Sequence, residues 1–231
     1  MKDIILLKQG ETVLKGLNRR YFEQKLVSNI RKRLKPMGEF RVYCVQSTVY
    51  VEPESETADM DADFDALSKT FGVVALSRAA ACEKDEDAIA RLAIEYLRED
   101  MLAAESFKVE TKRSDKSFHM TSIQLSQYVG GRLAEAYPET RVDVRHPERT
   151  VHLEVRDYAA YVHAAPAPGA GGLPIGSNGR AVTLLSGGID SPVSTWMITR
   201  RGVRCIPVHF FSFPYTSEAA KEKVVELARL L

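Results

Sequence analysis

Within the string SGGIDS, residues 186 to 191, two serines, two glycines and one carboxylate share six positions. An apolar β run, Val182 to Leu185, leads in, and the helical stretch PVSTWMITRR leads out. Such a turn opens onto a helix N-terminus, whose unpaired N–H groups and partial positive charge suit an anion, and Gly187 and Gly188 let the backbone come close to it. Ser191 is the expected N-cap, with Pro192 at the first helical position. A Walker-type loop would follow its glycines with Lys and Ser or Thr to grip phosphates and magnesium. Here the charge is Asp190, an acid, which tolerates phosphates when Mg2+ bridges it to them. Phosphate binding without the usual lysine is the chemistry to expect.

Several elements must hold that loop. The first stretch reads as strand (Ile4 to Leu7), helix (Asn18 to Leu34), strand pair (Phe40 to Val51), helix (Asp61 to Phe71) and strand (Val73 to Ser77). That β-α-β-β-α-β order is the ferredoxin-like arrangement, and its first helix rests on Phe22, Leu26, Ile30 and Leu34 recurring every fourth residue. A second α/β module follows, with helices over Asp85 to Met101 and Ser122 to Ala136. Its strands are expected at Phe107 to Lys112, Arg141 to Arg145, Val151 to Val155 and Ala159 to His163. APAPGAGGLPIGSNG, residues 165 to 179, has no periodicity and reads as a linker. The third module then has the loop, a helix ending at Gly202, a strand in VRCIPVHFF, and a helix from Ser217 to Leu231. Pro207 inside that second strand argues against a central position in a sheet. The fold class expected is thus α/β and α+β multidomain: residues 1–77, 78–165, a linker at 166–179, and 180–231.

Composition narrows the setting. The chain has 231 residues and is 45% hydrophobic, with no apolar run near the length of a membrane span and an acid at Asp3 near the start, so a cytoplasmic protein is expected. Cys44, Cys82 and Cys205 form no C-x-x-C pair, which favours buried thiols over zinc or disulfides. The net charge of +1 hides segregation. Residues 1–50 carry 11 Lys/Arg against 4 Asp/Glu, whereas residues 51–105 carry 5 against 15. A basic face for a polyanion on the first module, whose first helix carries Arg19, Arg20, Lys25, Arg31, Lys32 and Arg33, is one reading, and a solvated charged helix is the other.

The string SGGIDS resembles the PP-loop of the ATP pyrophosphatase superfamily, whose enzymes split ATP between the α- and β-phosphates and leave AMP on a carbonyl oxygen. Five stretches in order, QGETVLKGLNRRYFEQKLVSNI (9–30), KRSDKSFHMTSIQLSQYVGGRL (112–133), GGLPIGSNGR (171–180), LLSGGIDSPV (184–193) and HFFSFPYTSEAAKEKV (209–224), resemble the tRNA 4-thiouridine synthetase family, also called tRNA sulfurtransferase. The resemblance implies a ferredoxin-like domain, a THUMP domain and the start of a PP-loop domain.

It also implies a reaction: uracil O4 of uridine 8 in tRNA is adenylated by ATP and then displaced by sulfur from a protein persulfide that a cysteine desulfurase loads. Asp190 is then the catalytic candidate, and Leu184, Leu185, Ser186, Gly187, Gly188, Ser191, His209 and Phe210 join it in holding ATP with Mg2+. Lys112, Arg113 and Lys116, beside Phe118, are the implied tRNA contacts of the THUMP module. The family's association with thiamine biosynthesis, a homodimer and the absence of a membrane partner come with the same resemblance. Departures are His119, where Pro is usual, and Phe211 and Phe213 in HFFSFP. Two rivals stay open: a small-molecule adenylating ligase, and a tRNA-binding protein with a vestigial nucleotide loop. From Arg180 onward there are only two strand candidates and two helix candidates, and the family's sulfur-accepting cysteine matches none of the three here. The expectation is a truncated member that binds tRNA but does not complete thiolation alone.

Overall fold

The computed structural model describes residues 2–55, 58–212 and 214–231, so the departure at Phe213 lies outside the described residues. The first module runs β1 (Lys2–Gln9), α1 (Arg19–Leu34), β2 (Phe40–Val45), β3 (Thr48–Pro53), α2 (Met60–Ser68) and β4 (Val73–Cys82). Its strands lie in the order β2-β3-β1-β4, all antiparallel, as a ferredoxin-like sheet requires. The every-fourth-residue stripe of α1 is buried: Leu26, Ile30 and Leu34 pack on Ile5, Leu7, Val49, Val51 and Leu76, and Phe22 near the helix start is buried as well.

The second module has α3 (Glu86–Tyr96), α4 (Arg98–Leu102), β5 (Ser106–Arg113), α5 (Ser122–Ala136), β6 (Arg141–Val142), β7 (Arg149–Val155) and β8 (Ala160–His163). The single helix expected over 85–101 is broken at Leu97, whose backbone leaves the helical region while its side chain stays buried. The strand expected over 141–145 stops after Val142. Asp143 Oδ1 accepts the N–H groups of Arg145 and His146, both at 2.9 Å, and this side-chain turn ends the pairing.

The two modules are not separate sheets. β4 runs five residues past its expected end at Ser77 and pairs antiparallel with β8, from Ala79 opposite His163 to Cys82 opposite Ala160. One sheet therefore runs β2-β3-β1-β4-β8-β7-β5-β6 through both modules. Leu76 packs with α1, and Ala80, four residues along β4 and so on the same face, packs with α3 and α5. Both modules thus lay their helices on one side. The opposite face holds a smaller cluster of Ile4, Leu6, Tyr50, Ala79 and Tyr161.

The stretch 165–179 is docked rather than a free linker. β9 (Ala167–Pro168) pairs with β4, Gly169 and Gly171 donate to Val74 and Val73, and Leu173 is fully buried. Gly172 has a left-handed φ of 72°, and a Cβ there would collide with the carbonyl oxygen of Arg200. Only glycine lets the chain pass that close.

The third module comprises β10 (Arg180–Leu184), α6 (Asp190–Arg200), β11 (Arg204–Val208) and α7 (Glu218–Leu230). β10 and β11 pair in parallel as a two-stranded sheet, and Pro207 sits in a strand paired, among the described residues, on one side. Among the described residues no helix is long and apolar enough to cross a membrane.

Candidate nucleotide loop and nucleic-acid surface

β10 delivers the chain into the SGGIDS turn, and Leu185 N–H still bonds Val208 O at 2.9 Å, so the turn leaves from the carboxyl ends of two parallel strands. Crevices at such ends are where open α/β sheets place ligands. α6 starts at Asp190, two residues earlier than expected, and Ser191 does not cap it. The capping position falls to Ile189, which is helical and makes no side-chain cap bond. Ser191 Oγ instead accepts Ser186 N–H at 2.9 Å and lies 3.1 Å from Ser186 Oγ, while Gly188 N–H reaches Ser186 Oγ at 3.4 Å. The two serines close the loop on itself, and Pro192 remains in the first turn, where its missing N–H costs nothing.

The glycines have no steric duty in the fold. Neither Gly187 nor Gly188 needs a left-handed φ, and a Cβ on either would meet nothing nearer than 3.5 Å. The bareness of that backbone is therefore available to a ligand, as an anion cradle requires. Asp190 is exposed at the loop's end and makes no side-chain hydrogen bond or ion pair with the described residues. Among the described residues no group of three or more His, Cys, Asp or Glu could hold a metal ion, so Asp190 stands alone as a carboxylate there.

His209 Nδ1 lies 2.9 Å from Leu185 O; a carbonyl can only accept, so Nδ1 carries the proton. Nε2 is left as a buried acceptor without a partner among the described residues. Leu185 and His209, with Pro207, Phe211 and Val224, line an apolar cleft of about 280 Å³ beside the loop. A purine with a phosphate chain fits this pairing of apolar cleft, orphaned acceptor and bare glycines. Leu184 and Phe210 are largely exposed and do not line the cleft, so of the four expected flanking residues the structure brings two side chains together.

The expected RNA contacts separate on inspection. Arg20, Lys112 and Lys116 are exposed, and Arg20 borders a groove of about 770 Å³ between α1 and β2 with Arg31, Lys32 and Lys35. Arg19 is partly engaged by Glu23 at 2.8 Å and by Ser47. Arg113 holds its own loop: Nη1 donates to the carbonyls of Phe118 at 2.7 Å and Met120 at 2.9 Å. Phe118 is a core residue, not a free stacking face.

Two features escaped the sequence reading. One is the buried cluster of Lys8, Glu154, Arg156 and His163 on the helix-free face. Burial would raise the Glu154 carboxyl, but His163, Lys8 and Arg156 outweigh it and hold it well below the usual carboxylate range. Spacing gives no hint of it, because Lys8 and Glu154 meet only once β4 and β8 pair. The other is Lys223, whose aliphatic chain lies against Gly187. The three cysteines are free and half-buried, and burial pushes the Cys44 and Cys82 thiols up to about 11, far from the thiolate a sulfur carrier uses.

Comparison with known proteins gives three family matches in order: the ThiI ferredoxin-like domain over residues 4–77, the THUMP domain over 83–164, and thiamine biosynthesis protein (ThiI) over 176–231. A protein of Acetivibrio thermocellus named as a probable tRNA sulfurtransferase is 44% identical over 234 residues, covering all of this chain and 59% of the relative. A similarly named protein of Alkaliphilus oremlandii is 44% identical over 235 residues, with the same coverage. The crystal structure of a 4-thiouridine synthetase–RNA complex with bound ATP matches with a TM-score of 0.88 at 32% identity, over 100% of this chain and 58% of that one. The chain thus spans 59% of the length of those curated relatives.

Proposed function

We propose the following for this chain, which belongs to the tRNA sulfurtransferase family: it binds tRNA through its first two modules and holds the phosphates of ATP on the loop from Ser186 to Ser191. The division into residues 1–77, 78–165, 166–179 and 180–231 belongs to this proposal, with β4 crossing its first boundary. The observation that carries the reading is the loop itself. Two serines lock it, two glycines leave it open, and it discharges onto a helix N-terminus beside an apolar cleft with an orphaned acceptor.

The reaction proposed is attack of uracil O4 on the α-phosphate of ATP, forming an O4-adenylate and releasing pyrophosphate, followed by displacement of AMP by persulfide sulfur. The loop's N–H groups hold the departing pyrophosphate, whose charge grows as the bond breaks. Mg2+ would neutralise phosphate oxygens, with Asp190 as its protein ligand. Leu185 and His209 bound the adenosine side. The sulfur carrier, a cysteine desulfurase donor, a homodimer and a cytoplasmic setting belong to the same family-based proposal. The relatives named as tRNA sulfurtransferases and the synthetase crystallised with RNA and ATP support it.

The decisive experiment measures binding of tRNA by this chain with and without ATP, and binding of ATP itself. Binding of both supports the proposal. Binding of tRNA without ATP supports the vestigial-loop rival, and binding of ATP without tRNA supports the small-molecule ligase.

A further inference from the structure

The loop lacks the lysine that phosphate loops normally carry, and its one charge is the exposed carboxylate of Asp190. Loop N–H groups and two hydroxyls that already bond each other are a weak counterweight to a polyphosphate. α7 corrects the deficit from a distance. Val224, only 4% exposed, faces Leu185, Pro207 and His209 and fixes how the helix lies over the strand ends. The preceding residue, Lys223, then runs its chain along the loop: a Cβ on Gly187 would lie 3.5 Å from Lys223 Cδ and 4.0 Å from Nζ. Lys223 is exposed and has no ion pair or side-chain hydrogen bond among the described residues. The neighbouring Lys221 differs, since it sits 5.1 Å over the Phe211 ring and pairs with Glu218 at 3.2 Å.

We propose that Lys223 is the phosphate-gripping cation of this loop, supplied by α7 in place of the missing loop lysine, and that its ligand is the β,γ-pyrophosphate half of ATP. This deepens the loop's proposed role and rests on it. An ammonium four rotatable bonds beyond an anchored helix can follow the pyrophosphate as its charge develops, while the glycines beneath leave room for the phosphate between loop and lysine. Among the described residues the ammonium has no partner to abandon, so its binding energy goes to the ligand.

The test is calorimetric titration of the chain and its Lys223→Ala and Lys223→Arg variants with inorganic pyrophosphate, ATP and AMP, each with magnesium present. Loss of one charge-assisted contact predicts that Lys223→Ala weakens pyrophosphate and ATP about tenfold and leaves AMP unchanged, with Lys223→Arg recovering most of the loss. Unchanged pyrophosphate affinity in Lys223→Ala, or an equal loss for AMP, overturns the proposal while the loop keeps its role. A wild-type chain that takes up neither ATP nor pyrophosphate overturns the loop's role and the lysine's with it.

Discussion

Lys8 of β1 places Nζ 2.6 Å from Oε1 and 2.9 Å from Oε2 of Glu154 on β7, so the first strand of one module is ion-paired to the centre of the next. Arg156 adds Nη2 at 2.5 Å and Nε at 3.0 Å to the same carboxylate, and Glu154 is only 3% exposed in its side chain. A carboxylate so enclosed sets the relative position of the two modules, because each supplies a charge that cannot be left unpaired.

Glu154→Gln should therefore destabilise the first two modules by roughly 3 kcal/mol, the usual cost of breaking a buried ion pair on one side. Urea unfolding followed by circular dichroism checks this, and a loss under 1 kcal/mol would show that the cluster is easily rehydrated.

Acid should act in two stages. Burial first, and His163 second, hold the His152 imidazole down to about 4, so the folded chain keeps it neutral while the unfolded chain protonates it near 6.5. That contribution is present above about pH 6.5 and is lost as pH falls toward 4. Glu154, with its folded value depressed, contributes above its unfolded value near about 4.3 and loses that contribution on further acidification. Melting temperature against pH should fall in both windows, and His152→Gln should flatten the upper one alone.

Asp190→Ala should abolish magnesium-dependent ATP cleavage wherever the PP-loop domain is complete, leave tRNA affinity near wild type, and change stability by less than about 0.5 kcal/mol, since the side chain has no structural partner among the described residues. Turnover assays and thermal melts on one preparation decide it; unchanged turnover removes Asp190 from the mechanism.

Two glycine substitutions should behave oppositely. Gly172→Ala forces a left-handed residue into the Arg200 carbonyl and should cost roughly 2 kcal/mol or more, read as early melting of the third module. Gly187→Ala should leave stability intact and weaken ATP, because the space it fills belongs to the ligand.

Five phosphate contacts from Arg19, Arg20, Lys112, Arg113 and Lys116 would give tRNA binding a log–log salt slope of roughly −3.5 to −4.5, at about 0.7 to 0.9 per contact. With Arg113 committed to the Phe118 and Met120 carbonyls and Arg19 to Glu23, the three freer cations account for a slope of about −2 to −2.7. Replacing Arg20, Lys112 and Lys116 together by Ala should reduce the measured slope by that amount, and an unchanged slope would move the RNA elsewhere.

The sequence by itself determined what depends on local order. The stripe of Phe22, Leu26, Ile30 and Leu34 announces α1 because a helix repeats every 3.6 residues, and SGGIDS raises the expectation of a phosphate loop because its glycines leave the backbone bare. Colinear motifs carried the family, while hydrophobic periodicity carried the element order of the first module. Tertiary structure alone decided the rest, since pairing between strands distant in sequence leaves no local period to read. The continuation of β4 onto β8, the seating of Glu154 between Lys8 and Arg156, and the docking of 165–179 are of this kind. So are the fate of Ser191, whose hydroxyl the strand end claims before the helix can use it, and the approach of Lys223, whose distance from Gly187 is set by where Val224 is buried and not by the residues between them.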